Sequence, residues 1–394
     1  MPLVPYAGDP DNFPDEIDTL DDSVQRTAAN LNASSEGLAD RTAWLRSRAA
    51  AATEFHKVIA STTLLPSPND TVYACGAWDS SNRQWLLGGL SLADGSGTAS
   101  IYRVPNGYSD GSLGTAINVS SNTFASSVPF DVLWDGTHYV TVTVDTASHV
   151  HVNYCSPGGP WAGPYGDTSA TFVHATLHQL GSQILLAYSK ATETFLFYST
   201  DHGATWTDST YAVGGYTGGI GELVVDNGTT ALVIASANAP HYIYGTSGAG
   251  IWTTANVPWG TDVPMGATYG RDSTGPAFFV VTAPGGGGMN VWKSPDGVSW
   301  LQVGGLEPAF TPQDLTSVGG TLAVAADISG GLTRGVYVSF DYGVSWRPAV
   351  NSPVVDSTAF AGLRPRIVAS DAQFLTLWQA SARFSAAFRQ PTAV

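Results

Sequence analysis

The chain has 394 residues, with 16 Lys and Arg against 32 Asp and Glu, so its formal net charge is −16. Because phosphate binding needs clustered cations, this charge argues against a nucleic-acid partner. Hydrophobic residues make up 43% of the chain, which excludes general disorder, and no run reaches the ~20 apolar residues of a membrane-spanning helix, so we expect no membrane insertion.

The first half-hundred residues differ in composition from the rest of the chain. Residues 19–52 contain no Pro and a single Gly, which favours helix. Val24, Leu31, Leu38 and Leu45 follow one another at intervals of seven and form half of a coiled-coil seam. Two alternatives remain open: a self-associating bundle, or two short helices that pack on the rest of the protein.

Three domains are therefore predicted. Residues 1–52 form an extended or helical segment for attachment or oligomerisation, and residues 69–394 form a β-propeller. Residues 53–68 link the two, and the apolar run at 56–63 is predicted to complete the last sheet of the propeller, because that sheet otherwise has three strands and an exposed edge.

After residue 68 the chain consists of short apolar runs separated by turn clusters, such as Asp135-Gly136-Thr137, which is typical of an all-β fold. Three segments repeat one pattern, and the second copy is one residue shorter. Their shared residues are Ser199, Asp201, Gly203, Thr205 and Trp206; Ser294, Asp296, Gly297 and Trp300; and Ser339, Asp341, Gly343 and Trp346.

Tryptophan sets the period of the repeat. A degenerate copy ends at Trp252, so the Trp residues that close the four copies are 46, 48 and 46 residues apart. A unit of this length has room for four short strands, which is typical of propeller blades. The sequence predicts an all-β, seven-bladed propeller preceded by a short helical segment.

The repeated segments resemble the Asp-box (BNR-repeat) motif of sialidase-like propellers, sortilin-type receptors and photosystem assembly factors. The side chains suit a turn: Asp and Ser accept from backbone N–H groups, Gly adopts a positive φ, and Trp covers the hairpin base. In that family the motif marks blades and not an activity, so these residues are predicted to be structural.

The resemblance raises the possibility of a sialidase, which needs three arginines, a Tyr–Glu pair and an Asp acid on the inner strands. Only the last of the seven predicted inner strands contains arginines. The candidates are Arg271, Arg364 and Arg366, with Glu193, Glu222 and Glu307 as the glutamates of this region. Because this pattern does not assemble a sialidase site, we expect no catalytic residues and a protein that is not an enzyme.

Two histidine pairs, His174 with His178 and His149 with His151, lie on predicted strands with a spacing that places each pair on one face. Neither pair has a carboxylate or a third histidine nearby in sequence. We therefore expect hydrogen-bonded strand or channel-lining histidines, with no metal site and no cofactor.

Aromatic residues are frequent in the predicted loops and suit contact with carbohydrate or protein, although packing between blades is the favoured alternative. They are Tyr108, Trp161, Tyr165, Tyr211, Tyr216 and Trp259. The two cysteines, Cys75 and Cys155, are too few for a disulfide framework and are expected to be buried as small hydrophobic residues.

The N-terminal segment is similar to the leader of phage and prophage tail-associated proteins, through the stretch LADRTAWL at 38–45 and the stretch at 18–26. This resemblance implies attachment to particle proteins and a homo-oligomer, a trimer by analogy with tail fibres. It also implies a virion protein, made in the cytoplasm without a signal peptide and extracellular after lysis, because the N-terminus has no basic or apolar signal region.

The leading hypothesis is a non-enzymatic structural, receptor-binding or decoration component of a phage-like tail, tail fibre or capsid. Its propeller is expected to present a surface to a cell-surface glycan or protein. The alternatives are a glycan-acting enzyme of the sialidase-like class and a propeller assembly factor.

Overall fold

The computed structural model describes part of the chain. The described residues are 71–91, 98–105, 117–118, 130–144, 147, 149–167, 172–190, 193–214, 222–235, 241–246, 252–272, 274–306, 310–318, 320–328, 333–348, 354–355, 366–370, 373–377 and 384–389. All of them except the final residues 388 and 389 belong to one compact unit, Val58–Ala387. The predicted N-terminal helix with its heptad seam, and the predicted closing strand at 56–63, lie outside them.

Within these ranges every regular element is a β-strand, so the all-β prediction is confirmed. The described part of the chain has no helix with the length and hydropathy needed to cross a membrane.

The strands of the described ranges form seven antiparallel sheets, numbered here in chain order. The first three are β1 (Thr71–Asp79), β2 (Gln84–Ser91), β3 (Thr98–Pro105) and β4 (Ile117–Asn118); β5 (Phe130–Trp134), β6 (Tyr139–Val144), β7 (Val150–Cys155) and β8 (Ala162–Asp167); and β9 (Phe172–Leu180), β10 (Gln183–Lys190), β11 (Glu193–Ser199) and β12 (Thr207–Gly214).

The fourth and fifth sheets are β13 (Glu222–Asp226), β14 (Thr230–Ala235), β15 (His241–Thr246) and β16 (Trp252–Asn256), then β17 (Val263–Asp272), β18 (Gly275–Ala283), β19 (Met289–Ser294) and β20 (Leu301–Leu306). The sixth is β21 (Phe310–Val318), β22 (Thr321–Ile328), β23 (Thr333–Ser339), β24 (Arg347–Pro348) and β25 (Val354–Val355), in which β24 and β25 both pair with β23. The seventh is β26 (Arg366–Ala369), β27 (Gln373–Leu377) and β28 (Phe384–Arg389).

The second strand of a sheet lies in the core. In β18 and in β22 six consecutive residues are buried, so the strict apolar and polar alternation of a half-exposed strand is absent. A sheet that is covered on both faces has this pattern, because side chains on both sides of the strand are then removed from water. The fourth strand β20 has no buried residue, which places it at the surface.

Apolar side chains of neighbouring sheets pack face to face. Val140 and Val152 of the second sheet lie in one cluster with Leu177 and Leu186 of the third. The first strand of each sheet contacts the first strand of the next, from β1 through β5, β9, β13, β17 and β21 to β26, and β26 contacts β1. The predicted propeller arrangement is therefore present.

Both cysteines are buried, as expected. Cys75 of the first sheet and Cys155 of the second belong to one cluster with Leu86 and Trp134. Burial raises the pKa of the Cys75 thiol well above its ordinary value, so this side chain is neutral and unreactive near pH 7.

Candidate functional site

The first repeated segment forms a closed turn between β11 and β12. Ser199 Oγ donates to Asp201 Oδ1 at 2.8 Å and accepts from the Gly203 N–H at 2.8 Å. Asp201 also accepts from the N–H of Thr205 at 2.8 Å and from its hydroxyl at 2.6 Å. Trp206 Nε1 donates to Gly203 O at 3.0 Å. The side chains of Ser199, Asp201, Thr205 and Trp206 are thus used within the turn.

The third copy, between β23 and β24, has the same contacts. They join Ser339, Asp341, Gly343, Ser345 and Trp346. In this copy too, the indole N–H donates to the glycine carbonyl oxygen, at 3.1 Å. The two turns are therefore equivalent in their hydrogen bonds.

The shorter second copy, between β19 and β20, keeps the pair of Ser294 and Asp296, whose oxygens are 2.9 Å apart. Asp296 Oδ1 accepts from the backbone N–H groups of Val298 and Ser299 at 2.8 and 2.7 Å. This copy lacks the residue between Asp and Gly, but its carboxylate still accepts hydrogen bonds from backbone N–H groups of the turn.

The turn glycines touch the preceding sheet. Gly203, Gly297 and Gly343 have φ values of +91°, +78° and +92°, where glycine is favoured. A Cβ on each would lie 3.2, 2.8 and 2.8 Å from Val140 Cγ1, Leu232 Cδ2 and Val291 Cγ1, respectively. Each repeated turn is therefore also a contact between neighbouring sheets.

The turn carboxylates are stabilised as anions. Burial alone would raise their pKa values, but hydrogen bonds from the backbone and from hydroxyl groups outweigh it, so the pKa of Asp296 is lowered to about 2. The pKa values of Asp201 and Asp341 are lowered for the same reasons. A group held ionised in this way is suited to structure and not to proton transfer near neutral pH.

The candidate sialidase side chains that the structure describes lie in different sheets. Arg271 is exposed on β17 of the fifth sheet, and Arg366 is half-buried on β26 of the seventh. Arg364 and Glu307 lie outside the described residues, as do the side chains of Glu193 and Glu222.

Among the predicted strand histidines, His178 has a clear hydrogen bond. Its Nε2 lies 2.8 Å from Asp226 Oδ2, which joins the third sheet to the fourth. The prediction of a hydrogen-bonded strand histidine is thus confirmed for His178. His149 and His151 have ring centroids 6.5 Å apart, and the side chain of His174 is not described.

A cluster of two histidines and an aspartate, which the sequence does not predict, lies between the second and third sheets. Asp135 and His138 lie in the turn between β5 and β6, and His202 lies in the first repeated turn. His202 Nδ1 is 2.8 Å from Asp135 Oδ2, and the two imidazole rings stack with centroids 4.4 Å apart. Each residue offers one atom that could bind a metal ion, a ring nitrogen or a carboxylate oxygen, and these three atoms lie within 4.8 Å of one another.

Asp135 is fixed by its own turn. Oδ1 accepts from the N–H groups of Thr137 and His138 at 2.8 and 2.7 Å, and the side chain of Asp135 is 3% exposed. Although burial would raise its pKa, these backbone hydrogen bonds and the contact with His202 lower it below the ordinary value. The carboxylate is therefore an oriented anion. His202 is 64 positions from His138 and 67 from Asp135, and it occupies a variable position of the repeat. Only the stacking of the sheets therefore reveals the cluster.

A second site lies on the face of the second sheet that is turned to the first. Trp134 and Trp161 pack in the cluster that contains Leu86 of the first sheet, and Asn153 lies on β7 two residues before Cys155, on the same face. Trp134 Nε1, Asn153 Nδ2 and Trp161 Nε1 are buried and have no hydrogen-bond acceptor among the described residues. Buried donors nearly always have an acceptor, so these three N–H groups are candidate donors to a ligand oxygen or to water.

No family model matches the chain, and no curated protein sequence matches it. Solved structures share its fold. The BP39L lectin from Burkholderia pseudomallei is 14% identical with a TM-score of 0.59, over 82% of this chain and 99% of the lectin. A "putative 6-phosphogluconolactonase" from Bacteroides uniformis is 14% identical with a TM-score of 0.51, over 71% of this chain and 84% of that one.

The second comparison corrects one expectation. The prediction of a protein that is not an enzyme relied on the missing sialidase residues, yet a similar arrangement of sheets occurs in a protein named as an enzyme. The missing residues therefore do not exclude catalysis. At 14% identity both comparisons concern the arrangement of strands, and in that respect this chain is similar to propellers named as a lectin and as a lactonase.

Proposed function

We propose that the chain is a seven-bladed propeller that binds carbohydrate. The seven sheets, whose first strands contact in order and whose last contacts the first, support one blade per sheet. The three repeated turns, each organised by an Asp carboxylate, support Asp-box repeats as the blade motif. The similarity to the arrangement of a lectin supports a carbohydrate as the ligand.

The observation that carries this proposal is the set of three buried donors on the second sheet, Trp134, Asn153 and Trp161. Sugar hydroxyl groups supply acceptor oxygens for indole and amide N–H groups, and the apolar face of a sugar ring packs on an aromatic ring. Two indoles and one amide on a single face combine both requirements. The ligand expected here is a neutral glycan, because the three groups carry no charge.

The test begins with the full chain on a glycan array, followed by calorimetry with the best ligand. Trp161→Phe removes the N–H donor and keeps most of the ring, so affinity should fall about tenfold, the effect of one hydrogen bond of ~1.4 kcal/mol. Trp346→Phe is the matched control, because its indole N–H already donates to Gly343 O. We expect this variant to bind as the parent does.

Two outcomes would contradict the proposal. If no glycan on the array is retained, the donors serve another ligand or water. If Trp161→Phe and Trp134→Phe bind a retained glycan as tightly as the parent, the glycan site lies elsewhere on the molecule.

We propose in addition that residues 1–52 attach the propeller to a phage-like tail or capsid as a trimer, so that it reaches the extracellular space in a virion. The heptad of Val24, Leu31, Leu38 and Leu45 and the resemblance of the leader support this role. Deleting residues 1–52 should leave a folded monomer that is absent from purified particles. Light scattering measures the oligomeric state of the truncated chain, and the protein composition of purified particles measures its incorporation. A truncated chain that stayed trimeric and was incorporated would refute the role.

A further inference from the structure

The cluster of Asp135, His138 and His202 has the ligand types of a transition-metal site. His202 Nδ1 and His138 Nδ1 both face one hydroxyl group, Thr137 Oγ1, at 3.1 and 2.8 Å. Asp135 Oδ1 accepts from the same hydroxyl at 2.9 Å, and Asp135 Oδ2 faces His202. Two imidazole nitrogens and one carboxylate thus converge on a small volume at the boundary of two sheets.

We propose that Asp135, His138 and His202 bind one divalent transition-metal ion that joins the second and third sheets. The site is independent of the proposed glycan site, which uses the other face of the second sheet. Two imidazoles with one carboxylate favour zinc, cobalt, nickel, copper or ferrous ion over the all-oxygen sites of calcium and magnesium.

The geometry requires small movements of side chains. Ligand bonds of about 2.0–2.1 Å in a tetrahedral site place the donor atoms roughly 3.3 Å from one another. His202 Nδ1 and Asp135 Oδ2 are 2.8 Å apart, so they separate by about half an ångström when the ion enters. Thr137 is exposed, and rotation of its side chain moves the hydroxyl group out of the centre.

The surroundings orient the ligands before the ion arrives. Asp135 Oδ1 is held by two backbone N–H groups, which leaves Oδ2 for the ion. His202 has a φ of +63° that the repeated turn imposes, and Tyr342 has +61° at the same position of the third copy. Three protein ligands leave at least one coordination position for water or another small ligand.

The experiment uses the untagged full chain and the metal ion alone. Calorimetry with Zn²⁺ should give one site per chain, and Co²⁺ should produce the visible absorption of a coordinated ion. His138→Gln and His202→Asn should each weaken Zn²⁺ binding at least tenfold, and Asn tolerates the positive φ of the turn. His178→Gln is the matched control, because His178 has the same 2.8 Å contact with an aspartate but joins no second histidine among the described side chains.

Thermal unfolding with a chelator separates loss of ligand from loss of fold. The variants should then unfold as the parent does, and Zn²⁺ should raise the unfolding temperature of the parent and of His178→Gln but not of the two ligand variants. Thr137→Ala should bind Zn²⁺ at least as tightly as the parent. Absence of Zn²⁺ binding by the parent, or equal binding by the His138 and His202 variants, would overturn the proposal.

Discussion

At the scale of single residues, one carboxylate organises each repeated turn. Asp201 accepts hydrogen bonds from a serine hydroxyl and from both the N–H and the hydroxyl of Thr205. The sequence predicts this role, because Asp and Ser are the residues that bond to nearby N–H groups in turns. It does not predict the contact of His202 with Asp135, since residues 67 positions apart meet only after the sheets stack.

The turn carboxylates predict how stability depends on pH. The pKa of Asp296 is lowered to about 2 from an ordinary 3.8, so its ionised form is favoured in the folded state. This stabilisation is complete above about pH 4 and is lost as the pH falls towards 2. Asp296→Asn keeps an acceptor oxygen but cannot titrate, so its free energy of unfolding should fall less steeply over this range.

Denaturant unfolding at a series of pH values between 2 and 6 is the measurement, at about one-unit intervals. Asp208→Asn, at an exposed position of β12, is the comparison for a general loss of charge. Parallel curves for the parent and Asp296→Asn would mean that the carboxylate contributes no folded-state stabilisation.

At the scale of elements, each repeated turn docks on the sheet before it. Gly343 packs on Val291 of the fifth sheet, and Gly297 packs on Leu232 of the fourth. The sequence predicts the turns and their positive φ, but the contact across sheets cannot be read from it. Strand burial likewise exceeds what alternation predicts, because both faces of β18 and β22 are covered.

Gly343→Ala is predicted to be strongly destabilising. Alanine at a φ of +92° costs about 1 kcal/mol, and its Cβ would lie 2.8 Å from Val291 Cγ1, so overpacking adds about 1–3 kcal/mol. We expect a total loss of about 2–4 kcal/mol in the free energy of unfolding, measured by denaturant titration.

Gly285→Ala is the matched control for this variant. Gly285 is exposed, and a Cβ there has no heavy atom within 4 Å. If the two variants lose the same stability, the close approach of the turn to the fifth sheet does not exist in solution.

At the scale of the whole molecule, a period of about 46 residues in the sequence corresponds to sheets of about four strands. The four tryptophans that set this period, Trp206, Trp252, Trp300 and Trp346, lie at or just before the fourth strands of the third, fourth, fifth and sixth sheets. Local pattern is sufficient for this because each sheet is made from consecutive strands. The contact between the first and seventh sheets joins residues near opposite ends of the chain, which no local pattern encodes.

That contact gives the last prediction. A Cβ on Gly76 of β1 would lie 3.0 Å from Leu377 Cδ1 and 3.3 Å from Val368 Cγ2, both of the seventh sheet. Gly76→Val adds two more carbons at this boundary, so it should lower the free energy of unfolding by about 1–3 kcal/mol. Gly285→Val, at an open hairpin tip, should be nearly neutral.

Equilibrium denaturation of the two valine variants distinguishes a closed ring from an open one. Packing of β26 on β1 makes the first and last sheets unfold with the rest, so Gly76→Val should shift one cooperative transition as a whole. If it unfolds at the same denaturant concentration as Gly285→Val, the two sheets do not pack on each other in solution. The proposed ring of seven blades would then be wrong, because an open row of sheets leaves β1 and β26 without the neighbours that bury them.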